Sequence, residues 1–201
     1  MNKIYKQVTK EYVLSLPTKT FEGEIHLVET ADQITEAANY LNQCKILGFD
    51  TETKPAFKKG ERNTVALLQL SDGKKAYLFR LDKIGDLPDE IIAVLVNPDI
   101  VKIGAAIHDD LRALQGLKDF TPGNFIEIQR FVTDLGILDN SLKKMTCGIL
   151  GFRISKKARL SNWESETYTQ EQIQYAATDA WVSYEIYVKL TELGDNITFA
   201  D

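Results

Sequence analysis

A short apolar run that ends in two carboxylates constrains the fold of this chain more than any other stretch. Residues 46–49 have the character of a buried strand, and Asp50-Thr51-Glu52 follows directly. Because side chains alternate along a strand, Asp50 and Glu52 project from the same side, about 7 Å apart. An unpaired carboxylate pair inside a sheet is costly and self-repelling, and a hard divalent cation relieves both effects. A strand end that reaches solvent gives the same pattern, so this stretch alone leaves both interpretations open.

Length and composition bound the class of protein. With 201 residues, 44% apolar and 26% charged, the chain is predicted to be an ordinary globular protein. We expect an N-terminal arm over residues 1–22 and a single domain over residues 23–201. No apolar run reaches the length of a membrane span, the first residues lack the apolar core of a secretion signal, and the two cysteines show no metal-ligand spacing. These features predict a cytoplasmic protein with no membrane partner.

The order of the predicted elements indicates an α/β fold. Strands are predicted at residues 24–28, 46–53, 64–70, 76–79, 100–104 and 125–128, with the first at a sheet edge and the third and fourth forming an antiparallel hairpin. Helices are predicted at residues 30–44, 88–96 and from 105 to 117, and the chain is predicted to be mainly helical from residue 133. We therefore expect a mixed sheet with helices on both faces.

A second segment with an inward carboxylate is the helix predicted after residues 100–104. At about 100° per residue, Asp110 shares a helical face with the apolar residues of that helix, whereas Asp109 lies roughly a quarter-turn away. Asp109 is therefore assigned to the solvent side, where the helix dipole favours an acid. His108 at a helix start is more often a capping or packing residue, so it is left out of the site.

A third segment with an inward carboxylate is the last predicted helix. Tyr175 and Asp179 are four residues apart, so they stack on one helical face, which is otherwise apolar. An aspartate in that position needs a partner, and no lysine or arginine on the same face can pair with it. Three segments thus direct four acids inward, Asp50, Glu52, Asp110 and Asp179, and no lysine or arginine is found to pair with them. This pattern indicates a two-metal site.

A basic strip precedes the last helix in a chain whose net charge is −5. Between residues 141 and 163 there is no acidic residue, and the strip consists of Lys143, Lys144, Arg153, Lys156, Lys157 and Arg159. Such a run is often a solvated face, but in an acidic chain it is also suited to contact phosphates. Lys156, Lys157 and Arg159 are predicted to bind nucleic acid.

Taken in order, these motifs resemble a known nuclease family. The pattern consists of Asp50-x-Glu52, Ile107-x-x-Asp110-Leu111 and Tyr175-x-x-x-Asp179, with supporting stretches at residues 65–70, 160–163 and 175–180. It resembles the DEDDy branch of the DnaQ-like 3′–5′ exonucleases, most closely the ribonuclease D and Werner-helicase exonuclease group, over roughly residues 23–193. The sister branch carries a histidine where this chain has Gln174, which favours the tyrosine branch.

The resemblance implies a ribonuclease H-like fold and a metal-dependent 3′–5′ exonuclease that releases nucleoside 5′-monophosphates. It implies that Asp50, Glu52, Asp110 and Asp179 hold two divalent ions, Mg²⁺ or Mn²⁺, and that Asp50 bridges them. One ion would activate the attacking water while the other stabilises the leaving 3′ oxygen. Glu52 and Tyr175 would orient that water, because a tyrosine with an ordinary pKa of about 10 is a poor base at neutral pH.

The expected partner is single-stranded or 3′-overhang nucleic acid, either DNA or RNA. Leu68 and Trp163, together with Phe57, are predicted to stack on terminal bases, although Trp163 is explained equally well as a core anchor for the preceding loop. Two alternatives stay open. One is a non-catalytic nucleic-acid-binding domain, which usually lacks one of the acids, and none is missing here. The other is a hydrolase of very short oligonucleotides, because the helical accessory domains of ribonuclease D proteins do not accompany these motifs.

Overall fold

The computed structural model of the protein describes residues 3–56 and 63–200. The strands are β1 Ile4–Tyr5, β2 Glu24–Val28, β3 Ile46–Thr53, β4 Val65–Ser71, β5 Lys75–Arg80, β6 Val101–Gly104, β7 Phe125–Glu127 and β8 Phe199–Ala200. The α-helices are α1 Lys10–Ser15, α2 Ala31–Leu41, α3 Leu81–Ile84, α4 Asp89–Val96, α5 Ile107–Leu117, α6 Ile128–Asp134, α7 Leu142–Met145 and α8 Gln170–Leu193. None of the helices in these two ranges is long and apolar enough to cross a bilayer.

A six-stranded mixed sheet forms the centre of the fold, in the order β2-β5-β4-β3-β6-β7. β4 pairs antiparallel with both β3 and β5, whereas the β2–β5, β3–β6 and β6–β7 pairs are parallel. The predicted mixed α/β sheet, the edge position of β2 and the β4–β5 hairpin are confirmed. Two short strands that the sequence did not predict, β1 and β8, pair with each other outside this sheet.

Helices cover both faces of the sheet, as the sequence predicted. On one face, α2, α4 and α5 bury apolar side chains against Phe49 and Leu68. On the other face, α8 crosses β3 and β4. Gly48 permits this crossing, because a β-carbon at that position would overlap the Ala180 carbonyl of α8. The close approach brings the middle of α8 against the carboxylates of β3.

The N-terminal segment covers the outer side of α8. Ile4 is buried in a cluster with Ile186 of α8, and the Phe21 backbone N–H donates a hydrogen bond to the Thr178 hydroxyl at 3.0 Å. Thr178 is consequently buried. A division at residue 22 stays a prediction, but these contacts make the segment part of the packing behind the site.

Candidate active site

Three carboxylates from β3 and α8 meet near the C-terminal end of β3. Asp50 and Glu52 are half-buried and Asp179 is buried, and one oxygen of each lies within 4.8 Å of the other two. Asp179 Oδ1 is buried and has no hydrogen-bond partner among residues 3–56 and 63–200. In the same ranges, none of the three carboxylates forms a salt bridge with a lysine or arginine. The predicted convergence of these acids is therefore observed.

The electrostatics of this cluster fit a divalent cation. Burial, followed by the charges of Asp179, Glu52 and Asp110, raises the pKa of Asp50 well above its usual range. Burial, followed by the charges of Asp179 and Asp110, raises the pKa of Glu52 to about 9, and burial raises the pKa of Asp179 to about 7. Hard carboxylate oxygens are the donors that Mg²⁺ and Mn²⁺ prefer, and a cation among them relieves their repulsion.

Asp110 lies beside the three clustered acids and not within their 4.8 Å group. Its Oδ1 accepts a 2.6 Å hydrogen bond from the Thr51 hydroxyl, and burial raises its pKa to about 6. The charge of Asp110 in turn contributes to the raised pKa values of Asp50 and Glu52. Asp109 is exposed, as its helical phase predicts. The arrangement places Asp110 where it could complete a metal site with the other three acids.

A carboxylate that the sequence analysis missed fixes the start of α5. Ala106 begins this helix with a left-handed backbone (φ 61°) and has no side chain that could cap it. Glu127 takes that role: its carboxylate accepts hydrogen bonds from the N–H groups of Ala106 at 3.1 Å and Ile107 at 2.9 Å. The cap satisfies two backbone N–H groups at the start of the helix that carries Asp110. No local pattern identifies Glu127, since only the β6–β7 pairing brings it to this end.

The two neighbouring aspartates of α5 provide a matched test. We expect Asp110→Asn to lower the turnover of the nuclease activity that the motifs predict by about a hundredfold or more, because Asp110 would help to hold a cation whose charge stabilisation is worth several kcal/mol. Asp109→Asn should leave turnover within about twofold, because Asp109 is exposed. Steady-state cleavage of an end-labelled strand by both variants measures this. The opposite ranking would show that Asp109 is the acid in the site.

Tyr175 occupies the position expected of a water-orienting group. Its hydroxyl lies close enough to the Asp179 and Glu52 carboxylates to lower the pKa of both acids. Burial, then the charges of Asp179 and Glu52, raises the pKa of Tyr175 itself. The phenol therefore keeps its proton at neutral pH and acts as a donor. Its ring packs against Trp163, with centroids 6.1 Å apart.

The predicted stacking role is wrong for Leu68 and Trp163. Leu68 is 0% exposed because it points to the face of the sheet covered by α2, α4 and α5. Trp163 is also 0% exposed, between Tyr168 and Tyr175, so the alternative of a core anchor is correct. No base can reach either side chain in this structure. Phe57 lies outside the described residues.

Two of the three basic residues selected from the strip, Lys156 and Arg159, lie near the acid cluster. Lys156, Lys157 and Arg159 are exposed, and the last two belong to a 3₁₀ turn, Lys157–Leu160. Arg159 lowers the pKa of Glu52 and Lys156 lowers that of Asp179, so both cations lie close enough to act on the site. Leu160, 65% exposed, is the apolar side chain that this turn presents to solvent. Binding of nucleic acid by these residues stays a prediction.

The chain has a ribonuclease H-like fold, and its acid cluster forms a candidate metal centre. Residues 25–195 match the family model described as 3′–5′ exonuclease. The chain belongs to this 3′–5′ exonuclease family, which confirms the family predicted from its motifs.

Known proteins of the same kind resemble the chain in sequence and in fold. The mouse "Bifunctional 3′-5′ exonuclease/ATP-dependent helicase WRN" is 33% identical over 199 residues, which are 90% of this chain and 14% of that protein. The Aedes aegypti Nibbler EXO domain has a TM-score of 0.79 at 21% identity, covering 90% of this chain and 95% of that one. Escherichia coli RNase D, described as an exoribonuclease involved in structured RNA processing, has a TM-score of 0.76 at 23% identity, covering 84% and 44%. The chain spans 14–49% of the length of the first three curated relatives it matches.

Proposed function

We propose that this protein is a metal-dependent 3′–5′ exonuclease that releases nucleoside 5′-monophosphates from the 3′ end of a nucleic acid. The observation that carries the proposal is the group formed by Asp50, Glu52 and Asp179, whose oxygens lie within 4.8 Å of one another. Asp110 and Tyr175 border this group, and the chain belongs to the 3′–5′ exonuclease family. A non-catalytic binding domain would have no need for a buried, self-repelling set of acids.

Asp50, Glu52, Asp110 and Asp179 would hold two divalent ions, Mg²⁺ or Mn²⁺. When bound, such ions lower the pKa of water and stabilise the charge that develops on a phosphate. The protein's own groups orient the reactants. Glu52 accepts a hydrogen bond from the attacking water, and the Tyr175 hydroxyl, which stays protonated, donates to hold that water in line with the scissile phosphate.

The substrate we propose is a single-stranded 3′ end. Lys156, Lys157 and Arg159 form an exposed cationic rim that would contact backbone phosphates without reading sequence. Leu160, exposed in the same turn, replaces Leu68 as the apolar side chain that a terminal base could contact. None of these contacts recognises a 2′-hydroxyl, so DNA and RNA are both tested.

One gel series tests the proposal. The wild-type protein is incubated with 5′- and 3′-labelled single strands of DNA and RNA in Mg²⁺, Mn²⁺ or EDTA, beside the Asp50→Ala variant. We expect 5′-labelled strands to shorten stepwise, 3′-labelled strands to release a labelled mononucleotide at once, and EDTA to abolish both. Retention of the strands without cleavage would favour the binding domain. Cleavage limited to strands of a few nucleotides would favour the oligonucleotide hydrolase.

A further inference from the structure

Gln69, in the middle of β4, carries a buried amide that the site described above does not use. The residue is 0% exposed. Neither Oε1 nor Nε2 has a hydrogen-bond partner in the part of the chain that the structure describes. An amide buried without partners carries a free-energy penalty, which an apolar residue of similar size would avoid. The amide at this position therefore indicates that a functional state of the protein supplies a hydrogen-bond partner.

The register of the sheet places Gln69 directly beside Asp50. The two residues are Cα partners in the antiparallel β3–β4 ladder, so their side chains leave the same face, with β-carbons about 4.5–5.5 Å apart. On the other side, the partner of Gln69 in β5 is Leu78, which is apolar. Along β4 the nearest polar side chain on this face is Ser71, whose hydroxyl already donates to the Lys75 carbonyl at 2.9 Å. The Asp50 carboxylate is thus the adjacent group in register to which the amide can donate.

We infer that Gln69 is a positioning residue of the proposed metal centre, and that its Nε2 group donates to the ionised Asp50 carboxylate, directly or through one buried water, when a divalent cation is bound. The inference rests on the proposed function in one respect, since it requires a cation at Asp50. A neutral amide suits this role because it restrains the carboxylate without adding charge to a cluster whose charge the cation must balance. Carboxylates that bind metals are commonly held by such outer hydrogen bonds.

The test uses Gln69→Met, which removes the amide while keeping an unbranched side chain of similar volume. Leu78→Met is the matched control, because Leu78 is the other cross-strand neighbour of Gln69, is 0% exposed and lies away from Asp50. Mn²⁺ alone is titrated into each protein without nucleic acid, and binding is followed by calorimetry. We expect Mn²⁺ affinity to fall about 10–100-fold in Gln69→Met and to stay at the wild-type value in Leu78→Met. The metal-free melting temperature of Gln69→Met should not fall below that of Leu78→Met.

Wild-type Mn²⁺ affinity in Gln69→Met would overturn the inference, as would wild-type protein that binds no Mn²⁺. If Gln69→Met does not fold, Gln69→Asn takes its place, since it keeps the amide but withdraws it by one methylene. The expected result is again weaker Mn²⁺ binding, and an unchanged affinity would refute the inference. Because binding is measured without substrate, wild-type protein that binds Mn²⁺ but cleaves no strand would contradict the proposed exonuclease and leave Gln69 in its positioning role.

Discussion

Asp50→Ala is expected to lower exonuclease turnover by at least about a thousandfold while the fold stays intact. An Asp50 carboxylate oxygen lies within 4.8 Å of oxygens of Glu52 and Asp179. The charges of these two acids and of Asp110 all raise the pKa of Asp50. Its loss removes a ligand of the proposed ions, which are worth several kcal/mol of transition-state stabilisation, and each 1.36 kcal/mol corresponds to about tenfold in rate. Single-turnover cleavage in Mg²⁺, beside a circular dichroism spectrum, measures both quantities. Near wild-type turnover would eliminate the two-metal assignment.

Removing an acid should also stabilise the metal-free protein, and this effect should depend on pH. Asp179 and Glu52 have pKa values raised to about 7 and about 9 in the folded state, from ordinary values near 4. The folded protein therefore binds more protons than the unfolded chain between about pH 4 and pH 9, so the stability that these groups contribute at low pH is lost as the pH rises.

Asp179→Asn removes one of these ionisations without changing the shape of the side chain. In EDTA, the melting temperature of the variant minus that of the wild type should be small near pH 4 and grow toward pH 8. Each kcal/mol added to the free energy of unfolding raises the melting temperature by about 2–4 °C for a chain of this size. Thermal melts at a series of pH values give the difference directly. A difference that stays constant with pH would show that burial does not raise the pKa of Asp179 in the folded protein.

Tyr175→Phe is expected to lower turnover by about 10²–10⁴-fold, the range attributed to positioned proton-handling groups. The phenylalanine ring keeps the packing against Trp163, whereas the hydroxyl that faces Glu52 and Asp179 is lost. Mn²⁺ affinity should barely change, because the phenol is not a proposed ligand. Single-turnover cleavage of a 3′-labelled strand and a Mn²⁺ titration together separate chemistry from binding.

Tyr168→Phe is the matched control for this substitution. Tyr168 packs against the same Trp163 ring, and its hydroxyl donates to the Trp163 carbonyl at 2.6 Å, away from the acids. Its loss should cost stability of about 0.5–1.5 kcal/mol and little activity. Equal effects of the two variants on turnover would mean that Tyr175 only fills space. That outcome would also withdraw the placement in the tyrosine branch.

The features of the site that depend on local geometry could be predicted from the sequence. Alternation along one strand is enough to place Asp50 and Glu52 on a common side, and the helical repeat is enough to separate Asp110 from Asp109. The spacing of Tyr175 and Asp179 follows from the same repeat. These relations hold within a few residues of chain, so they survive any tertiary arrangement that keeps the strand and the helices.

Which side chains are buried, and which groups far apart in the chain come into contact, depends on the tertiary structure. Trp163 and Leu68 are apolar residues that the sequence places near the predicted site. Only the packing of elements far apart in the chain shows that both are fully buried. Glu127 reaches the start of α5 through the β6–β7 pairing, and Gln69 lies opposite Asp50 through the β3–β4 register. These contacts cannot be predicted from the periodicity of the sequence. They are determined by the loop lengths and by the packing of α8 across the sheet, which depend on the whole core.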